Sequence, residues 1–399
     1  MSLIKKERLP QLEVYRALAI LAVLNVHASS FAAGVQAKSS SFYYVYNFMN
    51  IFSQYGTSSF IFLSGFVLFY NYYERPVTVK LLSRFYRQRL ISIVVPYTFV
   101  SLCYFLVAKY INQQLIGVPF SELWVSFRNA WLTGTAYVHL YYVFISVQFY
   151  ILFPFMLKLL QSKRWIVKWI IPIALALQWG FVFYNKYSLH VINKGSYSIT
   201  YLAVFMMGAY LAINFERIKP WLMNTWDLLS KGQRIWTIML WSSWLVVALI
   251  YIQLYHNMRS TGSTVNSLWY ELNWNVHSML SALVLMHATF LIYRKASRKV
   301  LAFLTRMGEL SFAIYLLHPI ILAQYRNFRY NIAPESITYF GFIIGGLLVS
   351  LFLSWAIIHF CFKKLPFSWV FLGSIPSSLS QKDKKHDTQV KEHNNSLNS

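Results

Sequence analysis

Long apolar runs, rather than alternating or short periodic ones, dominate the chain. Continuous hydrophobic windows fall at 14–31, 57–73, 90–110, 140–157, 165–184, 197–215, 235–255, 274–293, 310–324 and 339–362. Most approach or exceed the ~20 residues that a helix needs to cross roughly 30 Å of hydrocarbon. Barrel strands would instead alternate over about 10 residues. The pattern therefore predicts an all-α polytopic membrane protein with about ten transmembrane helices. Composition agrees: hydrophobic residues make up 57%, aromatics 19% and charged residues only 12%, about half the charged share of a soluble domain. The membrane domain is expected to span residues 1–366. Residues 367–399 form a polar tail, expected to be disordered from about Gly373.

Basic residues orient this bundle, because Lys and Arg accumulate on cytoplasmic loops. With the N-terminus inside, the inner segments hold Lys5, Lys6 and Arg8, the 75–89 cluster, Lys158 to Lys168, Arg217 to Arg234, Arg294 to Arg306, and the lysines from Lys363 onward. On the outside fall only Lys38, Lys109, Arg128, Lys186, Lys194, Arg259, Arg326 and Arg329. Ten spans with both termini in the cytoplasm, in a cell membrane, satisfy this asymmetry. The net charge of +24 is thus spread over membrane-flanking loops facing an anionic leaflet. It does not point to nucleic acid, since no soluble basic module carries it.

Candidate chemistry is confined to Arg, His and Tyr near helix ends. There is no phosphate-binding GxxxxGK[ST], no GxGxxG, HExxH, CxxC or GxSxG. Cys103 and Cys361 lie within spans and offer no disulfide or thiolate site, and no metal is expected. Within RALAILAVLNVH, Arg16 and His27 are costly in hydrocarbon. Eleven residues make three turns plus about 20°, so both side chains share one helix face, roughly 16 Å apart. Imidazole suits a general base and guanidinium suits phosphate. Arg84, Arg87 and Arg89 follow on the side of Arg16 and would extend a phosphate clamp. Ser311, Tyr315 and His318 share a face at i, i+4, i+7, while Glu309 is half a turn out of phase with His318. His139 sits among Tyr137, Tyr141 and Tyr142 at the outer mouth of the fourth span, where an aromatic belt is the default and sugar stacking the functional alternative. No role follows for His190, His256, His277, His287 or His359.

The chain resembles the acyltransferase family 3 group of integral membrane acyltransferases, in particular its short members that lack an appended hydrolase-like domain. The resemblance runs to about Pro366. It is carried by LEVYRALAILAVLNVH with Arg-x10-His, by FIFLSGFVLF, by the basic stretch ending in Pro96-Tyr97, by HLYYVFISVQFYILFP and by MGELSFAIYLLHP. It implies transfer of an acyl group, acetyl or in some members succinyl, from cytoplasmic acyl-CoA to a hydroxyl of an extracytoplasmic saccharide. His27 would be the catalytic base, and Arg16 would help bind the donor. The second Arg-x-x-Arg motif departs from the pattern. Arg84-Phe-Tyr-Arg87 has its spacing, but counted from the following proline its places fall on Arg89 and Ser92. Acyl-CoA is then a donor substrate, and no permanently bound cofactor is expected. His139, Ser311, Tyr315 and His318 are candidates for the acceptor side or for support, and acceptor specificity would reside in loops such as 112–138 and 257–273. A polysaccharide or small-molecule exporter is the alternative from another class, but the broken helices in two repeated halves that it predicts are not seen. Partners are the bilayer, acyl-CoA and the saccharide acceptor. The sequence leaves open a homo-oligomer.

Overall fold

The computed structural model describes residues 6–36, 38, 40–329 and 332–379, and each apolar window in them is helical. In chain order the helices are α1 (Gln11–Phe31), α2 (Tyr43–Phe52), α3 (Tyr55–Tyr72), α4 (Val79–Arg89), α5 (Val95–Ile111), α6 (Phe120–Thr133), α7 (Tyr141–Ser162), α8 (Arg164–Tyr184), α9 (Leu202–Ile213), α10 (Phe215–Met223), α11 (Lys231–Thr261), α12 (Ser267–Lys295), α13 (Arg298–Arg326), α14 (Ile337–Lys364) and α15 (Trp369–Leu372). Among the described residues nine helical segments are long and apolar enough to cross a membrane, or ten if α9 and α10 count as one broken span. The break is a bend of 88° beginning at Asn214, whose side-chain amide donates to the Tyr210 carbonyl at 2.9 Å. Beyond it Glu216, Arg217 and Lys219 would be costly to carry onward through hydrocarbon, and α10 turns aside.

The short helices α2, α4 and α6, like α15 and all but the first residue of α10, have no counterpart among the apolar windows. α4 buries only Phe85 and turns Arg84, Tyr86 and Arg87 outward. A π-turn at Leu90–Val94 joins it to α5. α6 ends where Gly134 adopts φ +70°, a left-handed conformation that favours glycine.

Burial separates an inner set of helices from a rim. In their most apolar stretches α1 and α12 are 56% buried, whereas α8 and α11 are 28% buried and offer most of their surface to lipid. α1 is central, packing against α2, α3, α12, α13 and α14. Two of the closest approaches depend on missing side chains. A Cβ on Gly308 of α13 would lie 1.9 Å from the Glu13 carbonyl oxygen of α1, and one on Gly208 of α9 would lie 2.1 Å from the Phe62 carbonyl oxygen of α3. Small residues let membrane helices come together where lipid tails supply no hydrophobic drive between them.

The segment expected to begin a disordered tail is structured in its first part. Ser368 and Leu372 are buried, a Cβ on Gly373 would lie 2.9 Å from the ring of Phe312, and the Ser378 hydroxyl donates to Glu309. The apolar WVFL of α15 anchors it. Residues 380–399 lie outside the described residues.

Candidate active site

α1 links two separate regions of polar lining. Toward its N-terminal end, Arg16 Nη1 meets Glu13 Oε1 at 2.7 Å, one turn earlier. Arg16 lines a cavity of about 270 Å³ together with Arg89, Ser92, Tyr142, Tyr150 and Ser311. Arg89 is placed there by aromatic support: its Cζ stands 5.1 Å from the ring centre of Tyr150 and 5.6 Å from that of Phe85. Its Nε is buried without a hydrogen-bond partner among the described residues. Arg84 and Arg87 are exposed and do not line this cavity. The basic cluster therefore contributes Arg89 alone. Arg89 lies about 140° from Arg84 and about 200° from Arg87 around a helix, and the π-turn that follows brings Ser92 in beside it. Ser92 is a lining residue with its hydroxyl on the Gln88 carbonyl at 2.7 Å.

Toward the other end of α1, His27 lies in the wall of two further cavities. One, of about 560 Å³, is lined with Gln54, Thr57, Tyr201, Tyr255, Glu271 and Trp274 among others. The second, of about 800 Å³, includes Asn50, Tyr137, Arg326 and Arg329. Glu271 in the first is ion-paired with Lys194.

Behind His27 three elements bring together residues far apart in the sequence. The rings of His27 and His318 are centred 5.1 Å apart, and those of His318 and His139 5.7 Å. Tyr315 stands 5.2 Å from His139 and 5.3 Å from Tyr142, and its hydroxyl donates to the His139 carbonyl. His318 Nδ1 lies 3.1 Å from the Ile314 carbonyl oxygen. A carbonyl can only accept, so Nδ1 carries the hydrogen and Nε2 keeps its lone pair. That Nε2 and both ring nitrogens of His139 are buried without partners among the described residues. His139 is 1% exposed, enclosed by Tyr104 and Tyr137 rather than standing in a surface aromatic belt.

Pro319 explains how α13 presents this group. Proline interrupts the helical ladder, and Tyr104 of α5 fills the gap. Its hydroxyl donates to the Leu316 carbonyl at 3.0 Å and accepts from the Ile320 amide at 3.2 Å. The expected shared face of Ser311, Tyr315 and His318 is thereby divided by depth. Ser311 and Tyr315 line the Arg16 cavity, and His318 backs His27. Glu309 lines the Arg16 cavity as well, away from His318.

Sequence reading missed Arg326. Its Nη2 donates to the His27 carbonyl at 2.5 Å and to Ser30 Oγ at 3.2 Å, and its Cζ lies 4.0 Å from the ring centre of Phe31. The available signal was an arginine about two turns beyond His318 on the same helix, at the membrane face expected to be short of positive charge. No group of three or more His, Cys, Asp or Glu among the described residues is arranged to hold a metal ion.

A family model described as an acyltransferase domain matches residues 9–359. No curated protein and no solved structure matches the chain. The matched region extends from just before α1 into α14, and so includes Arg16, Arg89, His27, His139 and His318 and most of the residues that line the three cavities. On that coverage the chain is a multi-pass membrane acyltransferase, an enzyme rather than an exporter, and belongs to acyltransferase family 3.

Proposed function

We propose that this acyltransferase moves an acyl group, acetyl in the first instance and succinyl as the variant, from cytoplasmic acyl-CoA to a hydroxyl of a saccharide on the far side of a cell membrane. The observation that carries the reading is the division of α1: two arginines meet in one cavity at its N-terminal end, and His27 lines cavities toward its other end.

Arg16 and Arg89 hold the phosphates of the donor, for which guanidinium is the suited partner. The pantetheine arm, on the order of 15–20 Å long, runs beside α1 over a distance comparable to the helical rise from Arg16 to His27. Phe60, Tyr142 and Tyr315 bound this path and keep water from the thioester. His27 takes the proton of the acceptor hydroxyl as its oxygen attacks the thioester carbonyl. The tetrahedral adduct collapses with loss of the thiolate, which takes the proton back from the imidazolium. His318 is a positioning residue: its Nε2 lone pair can accept the N–H of His27, leaving the other His27 nitrogen basic. The tyrosines and Trp274 of the cavity of about 560 Å³ suit a sugar ring.

The test is His27→Ala in the full-length protein, with acyl incorporation and folded yield measured together. Transfer should be lost while the yield is kept, and surface glycans from cells carrying the variant should lack the acyl mass. Near-normal turnover would remove His27 from the mechanism.

A further inference from the structure

The cavity of about 800 Å³ beside His27 carries charge that acyl transfer alone does not require. Arg326 and Arg329 both line it, and no Asp or Glu does among the described residues. The adjoining cavity differs, since its Glu271 is matched by Lys194. Arg326 belongs to none of the ion pairs found among the described residues. Its Nη2 is spent on the His27 carbonyl and Ser30, but Nε and Nη1 have no hydrogen-bond partner there. Arg329 stacks on Tyr339, with Cζ 4.9 Å from the ring centre. A third arginine stands behind the wall: Arg259 donates to Asn47 at 3.0 Å and to Asn50 at 3.1 Å, and Asn50 lines the cavity.

Charge distribution along the chain makes this concentration unusual. Arg259, Arg326 and Arg329 are three of the few basic residues on the side that the positive-inside asymmetry leaves poor in them. Arginines serving as interfacial anchors would be spread around the lipid-facing rim. Here they gather at one cavity whose wall includes His27, with their fields adding in a partly desolvated space. Such an arrangement is costly without an anion to complete it.

Resting on the acyl-transfer reading, we propose that this cavity is an anion subsite for the acceptor, so that the preferred acceptor bears an oxyanion, carboxylate or phosphate, close to the hydroxyl that is acylated. Because His27 is in the same wall, a sugar held by its anionic group at Arg326 and Arg329 presents a neighbouring hydroxyl to the imidazole.

The experiment uses purified full-length protein and three probes of matched size: a neutral oligosaccharide, a uronate-containing one and a phosphorylated one. Binding is measured without donor, and acyl incorporation is then measured with acetyl-CoA and with succinyl-CoA. One or both acidic probes should bind at least about tenfold more tightly than the neutral one, the range expected for hydrogen bonds to a charged partner, and which of them does so identifies carboxylate or phosphate. Arg329→Gln should remove that preference while leaving neutral-probe binding in place. Arg326→Gln should act in the same direction, and Arg329→Gln remains decisive should loss of the His27 carbonyl contact unfold it. Equal binding of all three probes, or a preference that survives both substitutions, overturns the proposal. A preference that is present and lost on substitution, with no incorporation from either acetyl-CoA or succinyl-CoA, upholds the subsite and overturns the saccharide-acylation reading instead.

Discussion

Arg89 and His318 illustrate how single residues acquire a role through their surroundings. Arg84, Arg87 and Arg89 are equivalent as charges in the sequence, and a motif spacing favours the first two. Only Arg89 has the ring of Tyr150 beneath it and shares a cavity with Arg16. Arg89→Ala should therefore raise the donor KM by about ten- to a hundredfold, whereas Arg84→Ala and Arg87→Ala stay near wild type. Steady-state kinetics on acetyl-CoA check this. For His318, whose Nε2 is buried without a partner among the described residues and whose ring is centred 5.1 Å from that of His27, replacement by Ala should lower kcat by about tenfold or more with little change in either KM. A matching loss of thermal stability with unchanged kcat would reduce it to packing. The i, i+4, i+7 spacing was enough to place Ser311, Tyr315 and His318 on one face. It could not separate them by depth, because that depends on what lies opposite each turn.

At the scale of elements, close approach and helix repair govern the site. Gly308 lets the backbone of α13 rest on Glu13 of α1, which sets the height at which Tyr315 and His318 stand against Arg16 and His27. Gly308→Val should prevent that contact. Reduced folded yield and loss of activity are expected, measured by size-exclusion profile and turnover. Tyr104 makes a second repair, bridging Leu316 and Ile320 across the break at Pro319. Tyr104→Phe removes the hydroxyl and leaves both buried backbone groups unmatched, a cost of about 1–3 kcal/mol that a melting curve should register. Hydropathy located both α5 and α13. Nothing in either segment alone indicated that a tyrosine from one completes the ladder of the other, since the two residues are more than two hundred positions apart.

For the whole molecule, the alternation of basic and basic-poor loops predicts which ends of the bundle face the cytoplasm. Arg16 and Arg89 should lie near the inner surface, and Arg326 and Arg329 near the outer. In a background lacking Cys103 and Cys361, a cysteine at exposed Ile192 should react in intact cells with a membrane-impermeant thiol reagent. A cysteine at exposed Lys299 should react only after permeabilisation. The reverse pattern would invert the transfer direction proposed above. Three cavities, one at the Arg16 end of α1 and two at the His27 end, are properties of the assembled bundle, because each draws its walls from several helices.

The sequence by itself determined the fold class, the apolar segments and the register of Arg16 with His27. Each of these follows from local quantities: apolar length against bilayer thickness, and 3.6 residues per turn. The broken span at Asn214, the short helices α2, α4 and α6, the choice of Arg89 from three arginines, the burial of His139 and the meeting of Arg326 with His27 were decided by tertiary structure. Each depends on which helix lies opposite which. In a membrane that pairing rests on small residues and buried polar contacts between segments, and a pattern of hydrophobicity along one segment does not record it.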